Sequence, residues 1–180
     1  SWPRVERKCQ FDLVRRHHLS RLKPFAVLWD ILDPVPSDEG AEHLALARSK
    51  ENRPSGPRIN YLETNEQAYA LADDVSDAVW DEAVNWALDN PGSSKKVLEL
   101  SYRAWVAGDF EEIDRINSHY TRNRFSEIRH AVIAARNCLW IPTIRELVQS
   151  ANAPTLVLVG AAHFGGPDGL VSQLAAGGLR

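Results

Sequence analysis

The sequence contains no methionine, only two cysteines and no excess of basic residues, and these shortages exclude several classes of protein. A net charge of −3 argues against a dedicated nucleic-acid-binding protein, which usually concentrates basic residues on one face. Cys9 and Cys138 lack the paired spacing of a zinc site or a redox motif, so they are either free thiols or one long-range bridge. No apolar run approaches the roughly 20 residues of a membrane-spanning helix, and we expect no membrane span in this chain.

The start of the chain gives a further indication about its origin. The chain begins at Ser1 without an initiating methionine, and no secretory signal peptide is visible. We therefore expect a fragment or a processed product. Its 180 residues are enough for one soluble domain that buries about two-thirds of its unfolded surface.

An apolar run that leads to one histidine is the strongest pattern present. Thr155–Val159 is a run of β-branched and aliphatic residues without alternation, which is typical of a strand buried on both faces, and His163 follows in a glycine-rich turn. A modest alternation over Arg58–Glu63 predicts a second, short strand. Ligands bind beyond the carboxyl ends of strands in open α/β sheets, so Glu63 and His163 are expected at the same sheet edge. We predict an α/β or α+β fold with a few-stranded central sheet covered by helices.

Helices are predicted around these strands and in a helical middle insertion. Thr64 and Gln67 fit a capping box that starts a helix directly after Glu63. Pro142 should kink or break the last long helix, and Asn117–Asn123 should be a loop. The remaining helices are predicted from the spacing of apolar residues and from prolines and glycines at their ends. They lie at about Arg7–Leu22, Pro24–Leu32, Ala41–Ser49, Ser76–Asn90, Lys95–Ala107, Asp109–Ile116, Ile128–Ser150 and Gly169–Ala176.

Four residues could take part in a reaction or in binding, and each also has a purely structural interpretation. His163 is either a site residue or a turn histidine bonded to a carbonyl. Glu63 precedes a helix N-terminus, which stabilises a carboxylate in either role. Arg136 has apolar neighbours three and four positions away, so its guanidinium needs a carboxylate or a bound anion as partner. Glu63 is one candidate partner, while Asn137 has a weaker claim to a site role.

Four blocks of sequence occur in order from about Gly40 to the C-terminus, and together they resemble the TraB/GumN family, relatives of the TIKI proteins. The TIKI branch of that family is similar to metal-dependent peptidases with two Gly-x-x-His motifs. The resemblance implies that Gly160 and His163 match the second motif, Glu63 a Leu-Glu-Thr carboxylate, and Arg136 with Asn137 an Arg-Asn motif. The first Gly-x-x-His motif is absent from this sequence. The four blocks are Tyr61–Gln67, Trp105–Asp109, Arg136–Trp140 with Ile144, and Val159–Leu170.

This resemblance implies a metal-dependent peptidase or hydrolase that acts on a peptide or protein substrate. Glu63, Arg136 and His163 would be catalytic, His163 and Glu63 would hold a divalent metal (Mn, Co or Zn), and Gln67, Asn137 and Gly160 would support them. Residues 1–180 would form a single TraB/GumN-like domain, the C-terminal portion of a longer one. An N-terminal portion or a second chain would then complete the site, and the resemblance further implies an extracytoplasmic location.

Two alternatives stay open at this point. The first is a non-catalytic binding module of the same fold that holds a peptide, a pheromone-like ligand or a haem-like cofactor. The second is purely structural, with Arg136 and Glu63 as an ion pair that fixes a helix and His163 as a turn residue. The arrangement of the three side chains should separate these interpretations.

Overall fold

A computed structural model describes the protein at residues 2–8, 13–32, 60–121, 125–150 and 155–179, which are predominantly helical. Helices α1 to α3 are Trp2–Lys8, Leu13–Leu19 and Pro24–Leu32. Helices α4 to α7 are Asn65–Asp73, Asp77–Asp89, Ser93–Ala107 and Phe110–Thr121. A long helical run then comprises α8 (Ser126–Arg129), a π-helical segment (His130–Ala134) and α9 (Ala135–Ser150). A 3₁₀ turn at Ala161–His163 and helix α10 (Leu170–Ala176) follow.

The predicted α/β or α+β fold with a central sheet is wrong, because the described residues contain no strand and no sheet. A strand is stabilised by a neighbour that pairs with its backbone, and residues 156–160 form no such pairing with the other residues that the structure describes. Of the second predicted strand, Arg58 and Ile59 lie outside the described residues, and residues 60–63 have no regular structure. The expected helical middle insertion is therefore part of a mainly helical arrangement.

Several predicted helices are confirmed, with changes at their ends. Helix α3 has the predicted bounds Pro24–Leu32, and the Asp109 carboxylate accepts the Glu112 N–H at 2.9 Å as an N-terminal cap of α7. A loop was predicted at Asn117–Asn123, but residues 117–121 belong to helix α7, which ends at Thr121. The prediction of a loop is therefore wrong for these residues. The predicted helix at Ala41–Ser49 lies outside the described residues.

Pro142 does not break helix α9, which continues to Ser150. A proline inside a helix removes one backbone donor and crowds the preceding turn, so its neighbours must stabilise the helix. Ile141 and Ile144 are buried on either side of Pro142 and pack into one apolar cluster. This packing stabilises α9 where the sequence predicted a kink or a break.

Among the residues that the structure describes, three apolar clusters hold the helices together. The aromatic core lies where α3 packs on α5, with the buried Trp80 among residues such as Val27, Leu28 and Val84. A smaller cluster joins α6 to α7 through Ala104, Ile113 and Ile116. The third, called the site cluster below, consists of Trp140, Ile141, Ile144 and Leu170, with Leu62, Val157 and Val159 packed against it. The site cluster brings the segments before α4 and after α9 onto helices α9 and α10.

The structure also bears on the cysteines and on membrane insertion. Cys138 carries a free, exposed thiol, so the free-thiol alternative holds for this residue, while Cys9 lies outside the described residues. None of the helices in the described ranges combines the length and the apolar character that crossing a bilayer requires.

Candidate functional site

The backbone beside Glu63 is fixed by the start of helix α4. The Thr64 N–H donates to Gln67 Oε1 at 2.8 Å, and the Gln67 N–H donates to Thr64 Oγ1 at 3.3 Å. These reciprocal bonds form the predicted capping box, which satisfies two donors that the first helical turn would otherwise leave unpaired. Gln67 is exposed and contributes to the helix terminus in this structure. Its supporting role in the site stays a prediction.

Helix α9 supplies the partners of the Glu63 carboxylate. Arg136 Nε lies 3.0 Å from Oε1 and 3.2 Å from Oε2, and Arg136 Nη2 also donates to Oε1. Trp140 Nε1 donates to Oε2 at 3.0 Å. The side chains of Glu63 and Arg136 are 13% and 29% exposed, so the pair is largely withdrawn from water. The structure therefore gives Arg136 the carboxylate partner that its apolar surroundings require.

Trp140 connects this ion pair to His163. Its ring centroid lies 4.5 Å from that of the His163 imidazole, and Arg136 Cζ lies 4.9 Å from the Trp140 ring centroid. One indole thus contacts the cation, the carboxylate and the imidazole. The structure brings Glu63, Arg136 and His163 together around Trp140, a residue that the sequence presented only as an apolar neighbour of Arg136.

His163 occupies the 3₁₀ turn that follows Gly160. Its backbone N–H donates to the Gly160 carbonyl at 3.0 Å, and its side chain is buried. Gly160 has φ −61° and ψ 141°, which any residue can adopt, and a Cβ placed there would lie 3.6 Å from His163 Cδ2 in ordinary contact. The described surroundings therefore impose no steric need for glycine at position 160.

Asn137 determines which nitrogen of His163 carries the proton. Asn137 Nδ2 donates to the carbonyls of His163 at 3.1 Å and Asp168 at 2.7 Å, which requires the amide nitrogen to face them. Its Oδ1 therefore faces His163 Nδ1, at 2.8 Å. Because an amide oxygen only accepts, Nδ1 must be the protonated nitrogen, and the neutral ring has its lone pair on Nε2. Asn137 is fully buried, so it is an internal orienting group rather than a surface amide.

Burial keeps the His163 ring neutral. Loss of hydration is the main cause that lowers the pKa of His163 from its ordinary 6.5 to about 4. The positive charge of Arg136 lowers this pKa further, while the negative charge of Glu63 opposes the change. At neutral pH the imidazole therefore offers an uncharged Nε2.

The glycine-rich turn after His163 is too tightly packed for side chains, against α7 at Gly165 and against its own backbone at Gly169. A Cβ on Gly165 would lie 2.0 Å from the Phe110 carbonyl oxygen, and a Cβ on Gly169 would lie 2.2 Å from the Phe164 carbonyl oxygen. These glycines are needed because backbone meets backbone at both positions. The turn thereby brings the Asp168 carbonyl to Asn137.

An ion-pair network outside the predicted site fixes the same turn. Arg129 Nη1 donates to Asp168 at 3.2 Å, and Arg129 Nη2 donates to Asp114 at 2.7 Å. These two carboxylates raise the pKa of Arg129 against the opposing effect of burial. Sequence reasoning missed Arg129 and Asp168, and 39 positions separate them with no local pattern to link them.

The described residues fit part of a metal site. His163 has the form of a ligand, because it is neutral and its Nδ1–H bonds to a fixed acceptor. Both oxygens of Glu63 already accept from Arg136 and Trp140, and the predicted role of Glu63 as a ligand stays a prediction. No group of three or more His, Cys, Asp or Glu side chains suited to a metal ion occurs in the described ranges. The described ranges therefore contain no complete metal centre, and the role of His163 as a metal ligand stays a prediction.

Comparison with known proteins identifies one match. The sequence model of the TraB/PrgY/gumN family matches residues 5–180, which is essentially the whole chain. Neither the curated proteins nor the solved structures include a match. The family resemblance carried by the four sequence blocks is thereby confirmed.

Proposed function

Since the chain belongs to the TraB/PrgY/gumN family, we propose that it is a domain of a metal-dependent peptide hydrolase in which His163 supplies one metal ligand. The fixed tautomer of His163 is the observation that carries this proposal. Its protonated Nδ1 lies 2.8 Å from Asn137 Oδ1, so the lone pair is on Nε2. Metal-binding histidines usually donate their other ring N–H to a fixed acceptor in this way.

The remaining ligands are proposed to come from beyond the described residues. An N-terminal portion of the protein or a second chain would supply them, in keeping with the two Gly-x-x-His motifs that the resemblance implies. A divalent cation held there would polarise the peptide carbonyl and lower the pKa of a bound water. Mn²⁺, Co²⁺ and Zn²⁺ are the candidate ions, since imidazole is a suitable ligand for all three.

The residues around His163 have distinct proposed roles. Arg136 is the group that can hold a developing negative charge, because its side chain is 29% exposed and Glu63 aligns its guanidinium. Glu63 is a positioning residue, since its oxygens orient both the guanidinium and the Trp140 indole. Asn137 positions the imidazole, and burial together with Arg136 keeps His163 uncharged at neutral pH.

Cobalt titration of the full-length protein tests the proposal directly. We expect one Co²⁺ per chain, visible absorption bands from its ligands, and a loss of at least about tenfold in affinity for His163→Ala, or roughly 1.4 kcal/mol. The matched control is His130→Ala, the same change at an exposed histidine, which should bind Co²⁺ normally. Elemental analysis for Mn, Co and Zn provides a second measurement.

Two results would contradict this function. Equal Co²⁺ affinity in His163→Ala and the unaltered protein would remove His163 from the metal site. Failure of the full-length protein to bind any of the three ions stoichiometrically would reject metal dependence and favour the non-catalytic binding module. Peptide cleavage that persists after chelation and in His163→Ala would reject the mechanism even if a metal binds.

A further inference from the structure

Helix α6 is apolar on two opposite faces. The inner face packs against α7 through Val97, Leu100 and Ala104. A helix with apolar residues on both sides is typical of an element that has a packing partner on each side. The outer face, as we call it below, consists of Leu98, Tyr102, Trp105 and Val106, which are 48%, 61%, 55% and 63% exposed.

The sequence of the outer face is symmetric about Tyr102. Leu98 and Val106 lie four positions before and after Tyr102, and Lys95 and Asp109 lie seven positions before and after it. Spacings of four and seven residues return side chains to one face of a helix. An antiparallel copy of α6 centred on Tyr102 would therefore pair an apolar residue with an apolar residue, and a lysine with an aspartate. A two-fold interface requires such a self-complementary pattern.

The charges at the start of α6 favour the same partner. Lys95 and Lys96 lie near the N-terminus of the helix, whose dipole is positive there, and the first turn contains no acidic residue. In an antiparallel pair, the negative C-terminal end of the second α6 and the Asp109 carboxylate that follows it would lie beside these lysines. A membrane surface fits less well, because anionic headgroups would repel Asp109. A second copy thus offsets a local arrangement that is unfavourable in one chain.

We propose that the protein forms a two-fold symmetric dimer in which the outer faces of two α6 helices pack antiparallel around Tyr102. This inference does not depend on the proposed function. The rings of Tyr102 and Trp105, whose centroids lie 6.0 Å apart, are the aromatic anchors of the interface, and Lys95 and Asp109 fix its orientation. Two helices of 15 residues bury less than the roughly 1,600 Å² of a standard interface, so the dimer dissociates in the micromolar range.

Sedimentation velocity of the full-length protein over a range of micromolar concentrations measures the dimer. Tyr102→Asp places two carboxylates together at the symmetry axis and should weaken dimerisation at least roughly tenfold. The matched control is Tyr69→Asp, the same change at a tyrosine of α4 that is 58% exposed, which should dimerise normally. Circular dichroism checks that both variants fold. A protein that stays monomeric throughout, or equal dimerisation of the two variants, would overturn the proposal.

Reversal of the lysine charges separates dimerisation from folding. Lys95→Glu/Lys96→Glu places acidic residues near the N-terminus of α6, which stabilises the helix within one chain. The same change opposes the Asp109 carboxylate of the second copy, so it should weaken the dimer roughly tenfold. We expect the melting temperature of the dilute, monomeric protein to stay equal or rise while dimerisation is lost. Unchanged dimerisation in this variant would overturn the antiparallel arrangement.

Disulfide trapping tests the orientation of the two helices. In a Cys9→Ser/Cys138→Ser background, Tyr102→Cys should form a covalent dimer under mild oxidation. Leu98→Cys should not, because the two copies of position 98 would lie about 12 Å apart along the helix axis, beyond the roughly 7 Å between Cα atoms that a disulfide spans. A mixture of Leu98→Cys and Val106→Cys chains should crosslink again. Equal crosslinking of Leu98→Cys and Tyr102→Cys alone would indicate parallel helices and contradict the proposal.

Two further measurements distinguish a second copy from other occupants of the outer face. Binding to vesicles of phosphatidylcholine and phosphatidylserine that Tyr102→Asp abolishes would assign the face to a membrane. A benzophenone amino acid at position 106 should crosslink between chains, and an exclusively intrachain crosslink would assign the face to another segment of the same protein. Either result would overturn the dimer and leave the proposed function standing.

Discussion

The aromatic core and the site cluster are each organised by one buried tryptophan, but the two indoles have different partners. The Trp80 N–H donates to the Ala72 backbone carbonyl at 3.0 Å, and its ring contacts Phe25 and Trp29. The Trp140 N–H donates to the Glu63 carboxylate, and its ring contacts an imidazole and a guanidinium. The same side chain closes an apolar core in one region and arranges ionisable groups in the other.

The two regions differ most in what they bury. Asn137 and His163 are the buried polar residues among those described, and both lie beside Trp140. Buried polar groups are costly unless hydrogen bonds satisfy them, and here each polar group has a specific partner. We infer that the region around Trp80 mainly stabilises the fold. The region around Trp140 buries polar side chains, which stabilise a fold less than apolar ones, and these side chains fix the position of the His163 imidazole.

Removal of Trp80 should produce the largest change in stability. Trp80→Ala leaves a cavity in the aromatic core and removes one of the two hydrogen bonds that the Ala72 carbonyl accepts, so we expect a loss of about 3 to 5 kcal/mol in the free energy of unfolding. Urea denaturation followed by circular dichroism measures it. The control is Trp29→Ala, because Trp29 is exposed and meets Trp80 only edge to face, and it should cost about 1 kcal/mol. Equal losses would contradict a core centred on Trp80.

Acidification should destabilise the region around Trp140 specifically. The folded-state pKa of His163 is lowered to about 4 from 6.5, so above pH 6.5 the ring is neutral in both states and its contribution is complete. As the pH falls from about 6.5 to about 4, the unfolded chain takes up a proton that the folded chain does not, and stability is lost. The expected loss is on the order of 2 to 3 kcal/mol.

An imidazole titration by NMR and unfolding curves at several pH values measure this linkage. His163→Phe keeps a ring against Trp140 but cannot take up a proton, so it should remove this part of the pH dependence. Another histidine provides the comparison, since His130→Phe should leave the acid-induced loss in place. A pKa of His163 near 6.5 in the folded protein would refute the view that this region confines a neutral imidazole.

Loss of the ion pair between Glu63 and Arg136 should lower the free energy of unfolding by less than the loss of Trp80 does. Glu63→Gln retains an oxygen for the Trp140 N–H but loses the charge that Arg136 needs, and we expect a cost of about 1 to 3 kcal/mol. The cost lies below that of a fully buried pair, because the Arg136 side chain is 29% exposed. Urea denaturation of Glu63→Gln, Arg136→Met and the double variant measures the coupling between the residues.

The double variant also tests whether this pair belongs to the site. Restored stability with unchanged Co²⁺ binding and unchanged peptide cleavage would support the purely structural interpretation of Glu63 and Arg136. Restored stability together with lost peptide cleavage would support their proposed positioning and charge-holding roles. Single variants as stable as the unaltered protein would contradict the importance of the pair in either interpretation.

Local patterns in the sequence predicted the helix start after Glu63 and the need of Arg136 for a partner. They could not predict which distant segments of the chain pair with each other. The capping box at Thr64 and the apolar surroundings of Arg136 are local patterns, and the structure contains the cap and a carboxylate partner. The prediction of a sheet was wrong because a run of aliphatic residues indicates an extended backbone but does not identify a second segment that pairs with it. Leu156 and Leu158 are exposed while Val157 and Val159 pack inward, so the alternation of an extended chain is present although the described residues contain no sheet.

The orienting role of Asn137 was hidden for a related reason. Its three hydrogen bonds reach His163 and Asp168, which lie 26 and 31 positions away and meet it only through the glycine-rich turn. The close approach of that turn depends on Gly165 and Gly169, whose spacing matches no known binding motif. Asn137 therefore belongs to the site because of tertiary packing, which local sequence patterns do not reveal.

Substitution of Gln67 should change stability least, and it tests whether the site includes this residue. Gln67→Ala removes the acceptor of the Thr64 N–H and should cost about 0.5 to 1 kcal/mol, while Gln67→Glu keeps the capping box and should be nearly neutral. Thermal unfolding of the two variants measures this difference. Because Gln67 is exposed and bonds within its own helix start, neither variant should change the pKa of His163 or the affinity for Co²⁺. A tenfold loss of Co²⁺ affinity in Gln67→Ala that Gln67→Glu restores would instead extend the site beyond Trp140 and onto helix α4.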